Sequence, residues 1–125
     1  MITPKGEISM FSGFSHVMLY VNDIERATKW YQEKLGFKPN FITPHYASLQ
    51  LEQIEFRLDL HPTEPNSKDV GFGAITYFKV KDINATIANL KQLDIKVGEA
   101  KQEGDSSRFA TFWDSEGNAL GLLEN

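Results

Sequence analysis

The feature of this sequence that most limits its fold is an internal repeat. Residues 16–24, HVMLYVNDI, are matched at 75–83 by ITYFKVKDI, and both copies end in V-x-D-I. Asp23 and Asp82 mark equivalent points, 59 residues apart in a chain of 125. Self-similarity at a fixed spacing indicates that one supersecondary unit occurs twice. The chain is therefore expected to have two similar halves.

Each half is predicted to open with a strand followed by a helix. Asp23 is a residue type that caps helices, apolar residues follow it at 24, 27, 31 and 35, and Gly36 lies where a C-terminal cap belongs. The helical spacing returns after Asp82, at 83, 87, 90 and 93. Alternation and turn residues predict three further strands per half, at about 37–42, 46–52 and 54–60, then at about 95–102, 108–113 and 119–123. The repeated unit is βαβββ, which places the chain in the α+β class.

The length of the chain suits a single domain over residues 1–125. Within it we predict module 1 at about 13–61, a polar, proline-bearing linker at about 62–70, and module 2 at about 71–124. With 41% hydrophobic and 12% aromatic residues, the composition is typical of an ordered globular protein.

Charge and composition exclude several classes of function. A net charge of −4 without a basic cluster argues against nucleic acid as a partner. The sequence lacks an apolar run near the roughly 20 residues of a membrane span, and its first residues lack a signal-peptide pattern. We therefore expect a cytoplasmic protein that binds neither nucleic acid nor membranes. The absence of cysteine excludes disulfides, thiolate metal sites and a cysteine nucleophile.

Two phrases, FSHVMLYVNDI at 14–24 and FWDSEGNALGL at 112–122, carry a resemblance to a known family. Together with the duplication, they resemble the glyoxalase/bleomycin-resistance/dioxygenase, or vicinal oxygen chelate, superfamily over residues 14–124. The resemblance implies two modules that curve into an open, cup-shaped mixed β-barrel, often completed in a homodimer, with the ligand in the cup. The superfamily contains isomerases, ring-cleaving dioxygenases, antibiotic-modifying enzymes and drug-binding proteins, so the resemblance leaves the chemistry open.

The resemblance also implies where a metal would be held, because the enzymes of the superfamily bind a divalent cation with a residue from the first and last strand of each module. His16 fits the first of these four positions. The other three are Ile75, Arg57 and Gly121, none of which is a metal ligand. We therefore expect an incomplete metal site and no cofactor.

An alternative keeps a metal, which would be Zn, Ni, Mn or Fe. In that case Asp59, one alternation along from Arg57, replaces the missing carboxylate beside His16. Tyr77 or Glu55 would assist it.

Strand alternation predicts which side chains line the cup if His16 faces inward. The predicted ligand-binding residues of module 1 are His16, Met18, Tyr20, Tyr46, Ser48, Gln50, Arg57 and Asp59, and those of module 2 are Tyr77, Phe109, Thr111 and Trp113. Glu55, Gly121 and Leu123 are predicted to lie on the same faces. This lining, rich in rings with a few polar groups, is typical of a site for a flat or mixed-polarity small molecule.

The role of several of these groups stays open at this point. Arg57 either pairs with a carboxylate or phosphate of the ligand, or is neutralised by Asp59 or Glu55. His16 either bonds a neighbouring side chain, or acts as a general base or remaining metal ligand. We expect His45 and His61, which lie beside prolines, to be solvated turn residues.

Three functions are compatible with the sequence. The first is a small-molecule-binding protein of the bleomycin-resistance kind, which sequesters its ligand between two subunits without catalysis. The second is a divergent metal-dependent lyase or dioxygenase that uses His16 and Asp59. The third is a ligand-sensing or interaction module whose cup is filled by its own side chains. No nucleophile motif or glycine-rich phosphate loop is present in the sequence, and GFG at 71–73 is predicted as a turn.

Overall fold

The structure is a computed structural model. It describes Met10 and residues 14–63, 70–71, 74–102 and 107–124. The first half contains β1 (Val17–Val21), α1 (Ile24–Leu35), β2 (Lys38–Thr43), β3 (Tyr46–Leu51), a short 3-10 turn (Glu52–Ile54) and β4 (Phe56–Pro62). The second half contains β5 (Thr76–Val80), α2 (Ile83–Gln92), β6 (Phe109–Trp113) and β7 (Ala119–Glu124).

Each half forms its own mixed sheet. The first sheet has the strand order β1-β4-β3-β2, with β1 parallel to β4 and the other neighbours antiparallel. The second has the order β5-β7-β6, with β5 parallel to β7 and β6 antiparallel to it. The two sheets repeat one topology, which confirms the predicted duplicated α+β fold.

The helix boundaries follow the predicted capping residues. The side chain of Asp23 accepts a hydrogen bond of 3.0 Å from the backbone N–H of Arg26, and that of Asp82 accepts one of 3.1 Å from Ala85. Gly36 ends α1 with a φ of 74°, in the left-handed region that glycine adopts without strain. No described helix is long and apolar enough to cross a membrane.

Two of the predicted strands are wrong in part. In place of a strand at 95–102, the described residues form isolated bridges from Val97 to Phe112 and from Lys101 to Phe109. Only Ile95 is fully buried in this stretch, so there is no row of buried alternate side chains to hold a regular strand. The strand predicted from residue 54 begins at Phe56, because Glu52–Ile54 forms the 3-10 turn.

The predicted linker at 62–70 also changes. β4 runs on to Pro62, two residues past its predicted end. Residues 64–69 lie outside the described residues, so most of the linker is not tested.

The core lies between the sheets and the helices. Alternate residues of the strands are fully buried there, including Leu58, Leu60, Leu120 and Leu122. A series of edge-to-face rings continues the core from α1 into the second half, with centroid spacings of 5.4, 6.2 and 5.2 Å along Tyr31, Phe37, Phe56 and Phe78. Since one strand face is used in this way, the opposite face of each sheet, which we call the concave face after the expected cup, is left for other contacts.

The turn between β6 and β7 joins the two halves by hydrogen bonds. Buried Asp114 accepts a bond of 2.8 Å from the hydroxyl of Tyr31. Glu116 accepts bonds of 3.0 Å from the backbone N–H of Asp23 and 2.8 Å from Nε of Arg26. Asn118 donates from Nδ2 to the carbonyl oxygen of Tyr20 at 3.1 Å. These bonds fix the second half against the end of β1.

Candidate functional site

Four rings cross the concave face of the first sheet, one from each strand. Tyr20 of β1 meets His61 of β4 edge to face at 5.8 Å, and His61 meets Tyr46 of β3 edge to face at 6.1 Å. Tyr46 stacks on Phe41 of β2 at 5.9 Å with an interplanar angle of 16°. We call Tyr20, His61, Tyr46 and Phe41 the ring row. Tyr20 and Phe41 are 40% and 48% exposed, so the row presents aromatic surface to solvent.

The strand register explains how the ring row forms. Tyr20 is paired directly with His61 across β1 and β4. A register shift between Pro39 and Phe41 in β2 places Phe41 opposite Ser48, on the concave face. Strict alternation from buried Phe37 would have turned Phe41 towards the core, and no residue of this strand was among the predicted site residues. His61 was also missed, because it lies within β4 and not in a solvated turn.

A buried carboxylate lies beside the ring row. Asp59 of β4 has no solvent exposure, although it faces the concave side. Arg57, two residues earlier on the same strand face, donates to it twice, from Nε to Oδ1 at 2.8 Å and from Nη2 to Oδ2 at 2.9 Å. The hydroxyl of Tyr46 also donates to Oδ2. Of the two roles left open for Arg57, the structure shows the ion pair with Asp59.

His16 lies at the edge of this cluster. Its Nε2 is 3.5 Å from Oδ2 of Asp59, and its Nδ1 is 2.7 Å from Oγ of Ser15. The side chain is 32% exposed. These contacts match the first of the roles considered for His16, a histidine bonded to neighbouring side chains.

The contacts of Asp59 change the proton affinities of the cluster. Burial by itself would raise the pKa of Asp59, but hydrogen bonds from Arg57, Tyr46 and Ser48, with the charge of Arg57, lower the pKa below its ordinary value. The hydrogen bond to Asp59, assisted by burial, raises the pKa of Tyr46. The hydrogen bond to Asp59 also raises the pKa of Arg57. At neutral pH the cluster thus contains an ionised carboxylate, a guanidinium cation and a neutral phenol.

The remaining predicted residues of module 1 surround this cluster. Met18 is paired with Asp59 across β1 and β4 and is 40% exposed. Ser48 lies opposite Asp59 on β3 and accepts a hydrogen bond of 3.1 Å from Nδ2 of Asn40. Gln50 lies opposite Arg57.

In the second sheet, the ring of one strand lies over a glycine of its neighbour. Tyr77 of β5 is paired with Gly121 of β7, and a Cβ atom built on Gly121 would lie 2.3 Å from Cδ2 of the Tyr77 ring. The ring therefore occupies the space that a side chain at position 121 would need. Leu123 follows on the same face and is 37% exposed.

Phe109, Thr111 and Trp113 come from β6 and line a cavity of about 410 Å³ with Gly98, Glu99, Lys101 and Ala110. The ammonium group of Lys96 lies 5.0 Å from the centroid of Trp113. Among the described residues, no hydrogen bond, ion pair or ring contact joins a predicted site residue of the first sheet to one of the second. The structure thus divides the predicted site into two groups.

A cavity of larger volume lies elsewhere in the described part of the chain. It has a volume of about 790 Å³ and lies beside α1 and the turn between β2 and β3, where it is lined by Asn22, Asp23, Ile24, Glu25, Thr28, Lys29, Gln32, Ile42, Thr43, Pro44 and Pro62. A cavity of about 340 Å³ adjoins the cluster and includes Gln50, Glu55 and Arg57. Because the rings and the polar cluster lie on the concave face, we place the candidate site there and not in the cavity beside α1.

Comparison with known proteins identifies the family. The profile of the glyoxalase/bleomycin resistance protein/dioxygenase superfamily matches residues 13–122. The chain belongs to this superfamily. A search of curated protein sequences gives no match.

Solved structures of the superfamily fold show similar architecture at low sequence identity. A glyoxalase family protein from Enterococcus faecalis is 22% identical with a TM-score of 0.74, and the match covers 93% of this chain and 100% of that one. TnmS3, an antibiotic-binding protein from Streptomyces sp. CB03234, is 24% identical with a TM-score of 0.69, over 91% and 98% of the two chains. The fosfomycin resistance protein FosX from Listeria monocytogenes, in complex with Mn(II), is 15% identical with a TM-score of 0.74, over 93% and 92%. The shared fold thus occurs both in a protein described as antibiotic-binding and in one that holds a metal.

The side chains at the superfamily's metal positions do not fit a metal in this chain. Gly121 lies under the Tyr77 ring, Ile75 is an exposed aliphatic residue, and Arg57 is a cation. Both oxygens of Asp59 are engaged by Arg57, which opposes its use as a metal ligand.

The residue expected to assist His16 and Asp59 in the alternative metal site does not complete it. Glu55 does not lie in β4 but precedes it in a left-handed turn with a φ of 51°, at the cavity that Gln50 and Arg57 also line. Within the described part of the chain, no group of three His, Asp or Glu side chains is arranged to hold a metal.

Proposed function

We propose that this chain is a small-molecule-binding protein that holds a flat aromatic compound on the ring row without help from a metal. The observation that carries the proposal is the ring row itself, four rings of four strands on one concave face. Aromatic side chains offer large contact areas to planar ligands, and a few polar groups beside them fix the orientation. The cluster of Arg57, Asp59 and Tyr46 supplies those polar groups.

Partial exposure of the ring row supports a role in binding. Buried rings would serve the core, but Tyr20, Phe41 and neighbouring Met18 are each 40% exposed or more. This observation opposes the alternative in which the cup is filled by its own side chains. The open concave faces also fit a homodimer in which a second copy covers the ligand, and we extend the proposal to that assembly and to a cytoplasmic location.

The proposal that no metal takes part rests on the contacts of two residues. Arg57 brings a positive charge to the place of a metal ligand, and the Tyr77 ring covers Gly121. The distance of 3.5 Å between His16 and Asp59 is the one contact in the described structure that favours the alternative of a metal-dependent lyase or dioxygenase. Two ligands alone would hold a divalent cation weakly.

The experiment is a titration of ¹⁵N-labelled protein with 2-naphthamide, followed by NMR, in the wild type and in the variants Phe41→Ala and His61→Ala. We expect saturable shifts at the strands of the ring row, and about fivefold weaker binding in each variant, since the loss of one ring contact costs about 1 kcal/mol. Leu93→Ala is the matched control, because Leu93 is also partly exposed but follows α2. Shifts that do not saturate, or equal affinities in all four proteins, would contradict the proposal.

A further inference from the structure

We propose that Asp59 determines the charge of the ligand, because it neutralises Arg57 and so makes the ring row select neutral planar compounds over anionic ones. This inference rests on the proposed function and adds the chemical class of the ligand. It assigns Asp59 a role in specificity in place of metal binding.

Arg57 already uses one edge of its guanidinium for hydrogen bonds within the protein. A guanidinium recognises a carboxylate or phosphate best through two parallel N–H donors on one edge. In Arg57 such an edge, formed by Nε and Nη2, already binds both oxygens of Asp59 at 2.8 and 2.9 Å. The side chain is 40% exposed, so the three remaining N–H groups, on Nη1 and Nη2, can still donate to a ligand, although the charge that they carry is already balanced by Asp59.

The cations near the ring row, Arg57 and Lys38, are paired with carboxylates. Arg57 and Asp59 cancel each other. Lys38, the next cation across the sheet, lies opposite Gln50 and pairs with Glu52 at 3.7 Å. Among the described residues of the first sheet, an anionic ligand placed on the ring row would therefore lose hydration without gaining an unpaired cation as partner. A neutral ligand oxygen needs only one donor and meets no such cost.

Asp59 is held in a buried position. Its side chain has no exposure, Tyr46 of the ring row donates to its Oδ2, and Nε2 of His16 lies 3.5 Å from the same oxygen. A ligand cannot displace this carboxylate from Arg57 without breaking these contacts as well. The compensation of charge is thus built into the strand and does not depend on a mobile counter-ion.

The test compares three probes of matched shape by isothermal titration calorimetry at neutral pH: 2-naphthamide, 2-naphthoate, and the saturated decahydronaphthalene-2-carboxamide. For the wild type we expect 2-naphthamide to bind at least about tenfold more tightly than 2-naphthoate, the scale of one uncompensated charge or polar contact. The saturated amide should bind more weakly than 2-naphthamide. In Asp59→Asn the Arg57 guanidinium is no longer neutralised. The affinity for 2-naphthoate relative to that for 2-naphthamide should therefore rise by about tenfold or more.

A matched control separates this effect from a general change of charge. Asp94→Asn makes the same substitution at an exposed residue after α2, where a φ of 60° is well tolerated by asparagine, and should leave the ratio unchanged. Arg57→Gln is a second variant in case Asp59→Asn does not fold, and it should weaken 2-naphthamide without improving 2-naphthoate.

The outcomes are distinguishable. Tighter binding of 2-naphthoate than of 2-naphthamide by the wild type, or an unchanged ratio in folded Asp59→Asn, overturns the role of Asp59 and leaves the proposed function standing. Failure of the wild type to bind either aromatic probe overturns the proposed function together with this inference.

Discussion

Substitution of Gly121 by alanine tests whether the Tyr77 ring fills the space above β7. An ideal Cβ at position 121 would lie 2.3, 2.4 and 2.7 Å from Cδ2, Cε2 and Cγ of the ring. Because Cγ is among these atoms, rotation of the ring about its own axis does not relieve the overlap. Tyr77 is 48% exposed, so we expect its ring to swing into solvent and the sheet to stay intact.

The expected loss of stability follows from the area of the Tyr77 side chain that would become exposed to solvent. About half of a side chain that can bury roughly 200 Å² becomes exposed, which is about 2.5 kcal/mol at about 25 cal/mol per Å². Replacing a strand glycine by alanine returns about 0.5 to 1 kcal/mol of backbone entropy, and Gly121 has no positive φ to oppose this gain. The expected net loss is about 1.5 to 2 kcal/mol in the free energy of unfolding.

The assay is a double-mutant cycle by urea unfolding, with Gly121→Ala made in the wild type and in Tyr77→Ala. Without the ring, the alanine should be neutral or stabilising by about 0.5 to 1 kcal/mol, which gives a coupling of about 1.5 to 2.5 kcal/mol between the two positions. Effects that add within about 0.5 kcal/mol would refute the reasoning.

Two further predictions concern the buried polar groups. Tyr31→Phe removes the 2.8 Å hydrogen bond to Asp114 and should lower the free energy of unfolding in urea by about 1.5 to 3 kcal/mol. A loss under about 0.5 kcal/mol would show that this hydrogen bond does not stabilise the contact between the two halves. Asp59 has a pKa below its ordinary value in the folded protein, so its stabilising contribution is present above about pH 4 and is lost as the pH falls through the lowered pKa. Urea unfolding from pH 6 to pH 2 should therefore show a shallower acid loss in Asp59→Asn than in the wild type, and parallel curves would disprove the contribution.

Local signals in the sequence were enough for the helices and for the duplication. Asp23, Asp82 and Gly36 act through their own neighbours, so their capping roles are readable from residue type and spacing. The strand predicted at 95–102 was wrong because the apolar spacing of these residues is also compatible with an extended segment that makes only two bridges. Alternation alone does not distinguish the two.

Only the part of the candidate site that depends on strand alternation was predictable from the sequence. Arg57 and Asp59 are two residues apart on one strand, so alternation puts them on one face, and the sequence left their pairing as one of two alternatives. Phe41 was not predictable, because the register shift in β2 overrides alternation. The packing of Tyr77 over Gly121 depends on the pairing of β5 with β7, which comes from tertiary structure.

The most direct test of the account is the metal content of the purified protein together with its affinity for 2-naphthamide before and after dialysis against EDTA. We expect well under one metal ion per chain and an unchanged affinity, since the ring row and the pair of Arg57 and Asp59 need no cation. Near-stoichiometric Zn, Ni, Mn or Fe that His16→Ala abolishes, with loss of binding in EDTA, would contradict it.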